Sequence, residues 1–429
     1  MSLRIGVIAD DFTGATDIAG FLVSAGLRTV QLNRPGSARD LPEDMAVDAV
    51  VISLKTRSIQ RDSAVEESLR ALRILQDLDA ERILFKYCST FDSTAEGNIG
   101  PVADALLEAL EESATAMVPG LPVNDRTVYR GHLFVEGVPL HESGMRHHPV
   151  TPMTDSNLMR LTEAQGRGTA RNVPCGVVNR GSRAVHEAFQ EAASDGVRYL
   201  VPDTLDDNHL DVLGEAFQDL RLVTGGSGIG WGIARALTRR EAAGARRAAA
   251  DRWRFTSGRG VVLSGSASEM TNRQVDHYRS VAPARALEVP RVLDDAEAYR
   301  RELREWVLRT PPEDLAPLVY ATVEPEQLKS LQRRHGADEL SRAIEGFFAD
   351  LASELREHGV TRFIVAGGET SGAVTQALDV SGFEVGPQIA PGVPWTRSVD
   401  GELDIALKSG NFGDVEFFRA AQVEVTTHA

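Results

Sequence analysis

Cysteine is nearly absent from this chain. Only Cys88 and Cys175 occur in 429 residues, with no CxxC pair, which excludes a disulfide framework and a cysteine-based zinc site. Lysine is also scarce. Of 46 basic residues only Lys55, Lys86, Lys329 and Lys408 are lysine, so a retained lysine is a candidate for a place that needs a compact ammonium. No apolar run approaches the ~20 residues of a membrane-spanning helix. The opening MSLRIGVIAD shows no charged segment followed by a long apolar stretch, so no signal peptide is read and a cytoplasmic chain is expected. No Gly-Lys dipeptide exists, which excludes a Walker A loop. Met145 stands where HExxH starting at His141 would need its second histidine, and no dedicated metal site is expected.

What is present is close to an average soluble protein: 42% apolar and 25% charged residues. At ~100–200 residues per domain the length predicts two or three domains, two being preferred. The net charge is −16 with dispersed basic residues, which repels nucleic acid and anionic membrane. An anionic metabolite would be repelled too, so local cations and backbone N–H groups must hold it. A homo-oligomer is left open.

The first stretch alternates strand and helix patterns. Strands are read at Arg4 to Ala9, Val50 to Leu54 and Ile83 to Phe85. Helices are read from Thr13 to Gly26, after a capping box at Ser63 and Glu66, and after Pro101 in a first turn. Residues 119–171 read as a hairpin with long loops. Strands are expected again at Cys175 to Val178, Tyr199 to Val201 and Leu220 to Val223. The Ala/Arg-rich residues 234–258 read as an exposed helix leading to a linker. A second alternating series follows, with strands at Gly260 to Leu263, Leu318 to Thr322 and Phe363 to Ala366. The fold class is therefore α/β: two domains, 1–250 and 258–429, with mostly parallel sheets and a cleft between them.

Several strand-end loops could carry chemistry. In IADDFTGATD, Asp10 and Asp11 end a strand, and Thr13-Gly14 open the next helix. Ligands of open α/β sheets bind in that crevice; carboxylates suit hydroxyls or a proton, and helix N–H groups suit an anion. In SLKTRS, Lys55 and Arg57 share a face of extended chain and could clamp a carboxylate. In FKYCSTFDS, Lys86 precedes a hydroxyl-rich loop with Asp92 and Ser93. Three such loops suit one small polar anion. His132 and Arg146 are candidates for ligand contact from the middle segment. VTGGSGIGWGIA (223–234) suggests a dinucleotide fingerprint. It is one residue short of TGxxxGxG, though, and no tyrosine has lysine four residues on, so tight packing of glycines explains it better than a nicotinamide site. In the second series LSGSASEMTNRQ, VAGGETSGAV and LKSGNFG each offer glycine backbone and hydroxyls at a strand end, as a phosphate cradle does.

Together these motifs, with GMRHHPVTPMTDS and PGVPW, closely resemble the four-carbon acid sugar kinases, nearest to their 3-oxo-tetronate kinase branch. The resemblance spans nearly the whole chain. It implies an N-terminal sugar-acid-binding domain and a C-terminal nucleotide-binding domain. It also implies transfer of the γ-phosphoryl group of ATP, with Mg²⁺, to the terminal hydroxyl of a four-carbon acid, 3-dehydro-tetronate giving its 4-phosphate. Carried onto this chain, ATP contacts are expected at Ser264 or Ser266, Gly367, Gly368, Glu369, Thr370 and Gly410. Acid contacts are expected around Asp10, Asp11, Thr13, Lys55, Arg57, Lys86, Asp92 and Ser93. Asp11, or alternatively Asp10 or Asp92, would accept the hydroxyl proton, and Lys86 or Lys408 would neutralise the moving phosphoryl group. The rival readings are a threonate or erythronate kinase of the same architecture, a nicotinamide oxidoreductase, and a non-catalytic sugar-acid sensor.

Overall fold

The computed structural model describes residues 3–33, 47–148, 151–239, 253, 255–266, 268–311, 314–321, 337–390, 392–408 and 410–423. It forms two compact α/β units, Met1–Arg247 and Ala248–Ala429. Most of the expected linker helix (240–252 and 254) lies outside the described residues, as does Thr322.

The sheet of the first unit runs Thr29–Leu32, Ala49–Ser53, Ile5–Ala9, Ile83–Lys86, Leu222–Gly225, Thr115–Val118, Tyr199–Pro202, Ala170–Val173, with every pair parallel. Its central strands are apolar without alternation, and all five residues of Ile5–Ala9 and of Ala49–Ser53 are buried. That pattern belongs to a parallel sheet covered on both faces. The chain leaves Ile5–Ala9 towards one edge, then returns from Ala49–Ser53 across it to Ile83–Lys86 on the other side. Connections that diverge in this way open a crevice at the carboxyl ends of the strands. The middle segment forms a small antiparallel sheet of Arg126–Tyr129, His132–Val135 and Val138–Pro139.

The second unit orders its strands Ala284–Ala286, Leu318–Tyr320, Arg259–Ser264, Val360–Ala366, Asp404–Lys408, Val393–Ser398, Gly382–Ala390. The first five are parallel and the last two join antiparallel. Its core gathers Trp395, Trp253, Tyr278, Phe417 and Phe418 with Val262 and Ile364. Among the described residues no helix is long and apolar enough to cross a membrane.

Two local expectations are corrected. Cys175–Val178 is a short helix; the strand is Ala170–Val173. Pro174 has no N–H to continue a ladder, and the Cys175 N–H turns instead to the Asp203 carboxylate at 2.9 Å. Helix Arg61–Asp77 begins before Ser63, with Gln60 at its N-cap and no side-chain cap, so Ser63 and Glu66 are no capping box.

The glycines of GGSGIGWG are filled by packing. A Cβ on Gly228 would come 2.5 Å from the Gly120 carbonyl oxygen, and one on Gly232 would come 2.2 Å from that of Leu210. Gly214 meets Gly232 where helices Asp207–Phe217 and Ser227–Thr238 touch, its Cβ position 2.1 Å from the Gly232 carbonyl carbon. This backbone-to-backbone approach accounts for the glycines at 228 and 232 as packing positions. Gly232→Ala should cost roughly 2 kcal/mol or more in chemical denaturation, because backbone cannot give way as a side-chain tip does. A cost below ~0.5 kcal/mol would show that the helices are free to move apart.

Candidate active site

In the first unit the strand ends are level: Ala9 pairs with Ser53 and Lys86, and Lys86 pairs with Gly225. The ladder runs just past them, the N–H groups of Leu54 and Asp10 donating to the carbonyls of Ala9 and Lys86 at 2.9 and 3.0 Å. The loops bearing Asp10 and Asp11, Lys55 and Arg57, and Lys86 to Ser93 therefore emerge side by side.

Arg57 sits among the carboxylates of two of these loops. It donates to both oxygens of Asp10 (2.9 and 2.8 Å) and to Oδ1 of Asp11 (2.6 Å), and lies 3.7 Å from Oδ2 of Asp92. The fork geometry of guanidinium permits this, where an ammonium would not. Burial works against the charge of Arg57, but Asp10 and Asp11 outweigh it and push its pKa up. Burial raises Asp10 above the usual carboxylate range, against the pull of Arg57. Asp11 is the most accessible of the three carboxylates, with 28% of its side chain exposed against 6% and 9% for Asp10 and Asp92. It also caps helix Phe12–Ser24 by accepting from the Gly14 N–H at 3.1 Å.

The third loop is strained. Phe91 and Asp92 are both left-handed, with φ of 66° and 42°. Such a backbone costs on the order of 1–3 kcal/mol per residue and tends to persist at functional sites. Thr90 donates to Asp92 at 2.7 Å, and buried Phe91 packs edge-on against Tyr87. Burial, reinforced by Asp92, pushes the Cys88 thiol up to about 11, so it is no nucleophile.

Lys86 ends its strand with its ammonium buried. It donates to the Tyr87 carbonyl at 2.8 Å, and among the described residues no carboxylate lies within ion-pair distance. A Cβ on Gly14 would come 2.3 Å from Oδ1 of Asp11 and 2.9 Å from Nζ of Lys86, so glycine is what lets these two groups close over the helix start.

The other expected contacts divide. Thr13 and Lys55 are exposed, and Lys55 is without a hydrogen bond or ion pair among the described residues. The Ser93 hydroxyl is committed to Gln165 at 3.1 Å and holds the loop. His132 pairs with Ser156 at 2.9 Å, and Arg146 is exposed; among the described residues neither is bonded to the Arg57 cluster. The sequence reading missed Asn98. Its side-chain amide donates to the carbonyls of Thr56 and Ile59 at 2.8 and 2.9 Å and pins the loop that carries Arg57. It also missed Asp17, which accepts from the Ser227 hydroxyl.

In the second unit Ser264 pairs with Ala366, and Ala366 with Lys408, so the three glycine loops also emerge level. Ser264 is fully buried in its strand, whereas Ser266 in the following loop is partly exposed. Gly367 has a φ of 121° and turns the chain into helix Gly368–Ala377, where Gly368 and Glu369 are exposed and Thr370 is buried. Lys408 donates to the Thr271 hydroxyl (3.0 Å) and the Gly410 carbonyl (2.9 Å), and Thr271 donates to that carbonyl at 2.6 Å. Burial pushes the Lys408 ammonium down to about 8. The result is an open helix start flanked by glycine backbone, hydroxyls and one buried ammonium, which suits a polyphosphate.

A family model described as a sugar-binding N-terminal domain matches residues 5–233. Another, described as a nucleotide-binding C-terminal domain, matches residues 261–418. The chain is 56% identical over 423 residues to the 3-oxo-tetronate kinase of Brucella melitensis, covering 98% of this chain and 95% of that one. The chain belongs to the 3-oxo-tetronate kinase family. It is 54% identical over 427 residues to the 3-oxo-tetronate kinase of Pectobacterium atrosepticum, covering 98% and 99% of the two chains. A crystal structure from Salmonella typhimurium LT2, described as a candidate tRNA synthase, is 50% identical with a TM-score of 0.91, covering 98% and 99%. One from Haemophilus influenzae is also 50% identical, with a TM-score of 0.87 and coverage of 97% and 99%. The Arg57 cluster falls within the first matched domain and the glycine loops within the second.

Two outcomes test this geometry. Arg57→Ala leaves a buried carboxylate without its cation and should cost about 3–5 kcal/mol at neutral pH. The loss should shrink as pH falls and Asp10 takes up a proton; an equal loss at pH 5 and pH 8 would contradict the arrangement. Lys408 has a folded-state pKa below its unfolded one. Between about 8 and the ordinary lysine value the unfolded chain holds a proton that the folded chain has released, so folding stability should rise with pH across that window. Denaturation of wild type against Lys408→Met should show the rise in wild type alone.

Proposed function

We propose that this chain is an ATP-dependent kinase that phosphorylates the terminal hydroxyl of a four-carbon sugar acid, converting 3-dehydro-tetronate to its 4-phosphate. The observation that carries the reading is near-full-length identity of 56% and 54% to 3-oxo-tetronate kinases. The acid binds at the strand ends of the first unit, and the nucleotide binds at the glycine loops of the second. A cytoplasmic location is part of this reading, since ATP-linked catabolism of sugar acids suits that compartment.

Phosphoryl transfer asks a protein mainly for positioning and charge stabilisation. Asp11, the accessible carboxylate, orients the terminal hydroxyl and accepts its proton. Arg57 holds Asp10 and Asp92 beside it and, with the Gly14 N–H, keeps Asp11 in place. The Arg57 fork is occupied by the chain's own carboxylates, which turns the expected Lys55–Arg57 clamp towards Lys55 alone. Exposed Lys55 and the Thr13 N–H at the helix start receive the substrate carboxylate, the Gly14 N–H being held by Asp11. Lys86 offers unused donors to the transferring group. In the second unit Ser266, Gly368, Thr370 and Gly410 cradle the phosphates, with Lys408 behind them.

Among the described residues no group of three His, Cys, Asp or Glu side chains could hold a metal ion. The described residues therefore offer no three-ligand cage for Mg²⁺. An Mg²⁺ ion arriving with ATP would take its ligands chiefly from phosphate oxygens and water.

The test is a coupled ADP-release assay across 3-oxo and 3-hydroxy four-carbon acids. The 3-oxo acid should be the preferred substrate; preference for threonate or erythronate would move the chain to that branch, and acid binding without ADP release would make it a sensor. Asp11→Asn should keep ATP binding and lower turnover by ~10²-fold or more. Near-normal turnover would remove Asp11 from the role of base.

A further inference from the structure

Asp11 caps helix Phe12–Ser24, and Gly14 and Asp17, three residues apart, are neighbours on the helix surface. Gly14 is the gap against which both Asp11 and the Lys86 ammonium rest. Asp17, one turn further on, accepts a 2.5 Å hydrogen bond from the hydroxyl of Ser227. Ser227 opens the helix that follows strand Leu222–Gly225, and Gly225 pairs with Lys86. The loop of the glycine-rich 223–234 motif is thus a fourth loop at the same strand ends. It reaches the site through one side-chain bond.

We propose that Asp17, held by Ser227, is a positioning residue that keeps the Lys86 ammonium beside Gly14, facing the substrate. Lys86 is a buried cation without a carboxylate in contact among the described residues, and Asp17 is a carboxylate on the helix that rests against it at Gly14. The separation leaves the ammonium's remaining donors unclaimed, where a direct ion pair would consume them. The charged or titratable groups that face Asp17 are Lys86 on the neighbouring strand and Asp11 on its own helix. Burial raises the Asp17 carboxyl, while Lys86 and the Ser227 bond draw it back. Keeping a charge there works against folding, which is the signature of a group retained for function.

The inference rests on the kinase reading, and the experiment separates the two. Wild type, Asp17→Asn and Ser227→Ala are compared for ADP release with 3-oxo-tetronate, for KM of ATP, and for thermal stability. Asp17→Asn keeps shape and an acceptor for Ser227 but removes the charge. It should melt at or above the wild-type temperature, lose about tenfold or more in kcat, and hold its KM for ATP within about twofold. Ser227→Ala removes a bond that favours the charged carboxylate, so the acid limb of its kcat profile should move to higher pH. Wild-type kcat in Asp17→Asn overturns the inference, as does a loss of kcat that comes with a lower melting temperature and an unmoved acid limb in Ser227→Ala. Absence of ADP release by wild type overturns the kinase reading and this inference with it.

Discussion

A single guanidinium, that of Arg57, holds the first unit's site together. Three carboxylates from two loops converge on it, and without a cation they would repel one another at short range. Each link has a local cause. Parallel register levels the strand ends, Asn98 pins the loop that carries Arg57, and Asp11 is tied to its helix as the cap. A buried ionic cluster of this kind adds little to stability, because desolvation consumes most of the attraction. Its worth lies in geometry. It fixes two carboxylates so that the third, Asp11, stands accessible and oriented.

The second unit solves a related problem with the charges reversed. A polyphosphate needs donors, and in the proposed function they come from backbone N–H groups, hydroxyls and Lys408 rather than from a Walker loop. Two of the chain's four lysines now share a setting. Lys86 and Lys408 each end a parallel strand, are buried, and donate to a backbone carbonyl one or two residues later. A compact ammonium fits there and a guanidinium fork would not. In a chain that otherwise writes arginine, that constraint is a physical reason for keeping lysine.

Much of this was legible in the sequence. Apolar runs marked the central strands, and polar residues just beyond them marked the loops, because a parallel sheet buries both faces and opens only at its ends. The motif resemblance supplied the chemistry. What sequence could not show was who partners whom. Arg57 looked free to clamp a substrate, yet its fork is taken by Asp10 and Asp11. Ser93 looked like a contact, yet it is bound to Gln165, 72 residues away in the chain. Asn98 and Asp17 were overlooked because their partners, Thr56 and Ser227, lie on other elements. Cys175–Val178 was misread as a strand because an apolar four-residue run fits either state, and the deciding group, Asp203, is distant in sequence.

The central claim is that acid and nucleotide bind at separate strand-end sites, the acid beside Asp11 and the polyphosphate at Gly368, Thr370 and Gly410. A crystal structure with 3-oxo-tetronate and a non-hydrolysable ATP analogue tests it most directly. The account predicts the terminal hydroxyl within hydrogen-bond reach of Asp11 and the phosphates on the second unit's glycine loops. Phosphates seated against Asp10 and Asp11, or an acid bound in the second unit, would contradict it.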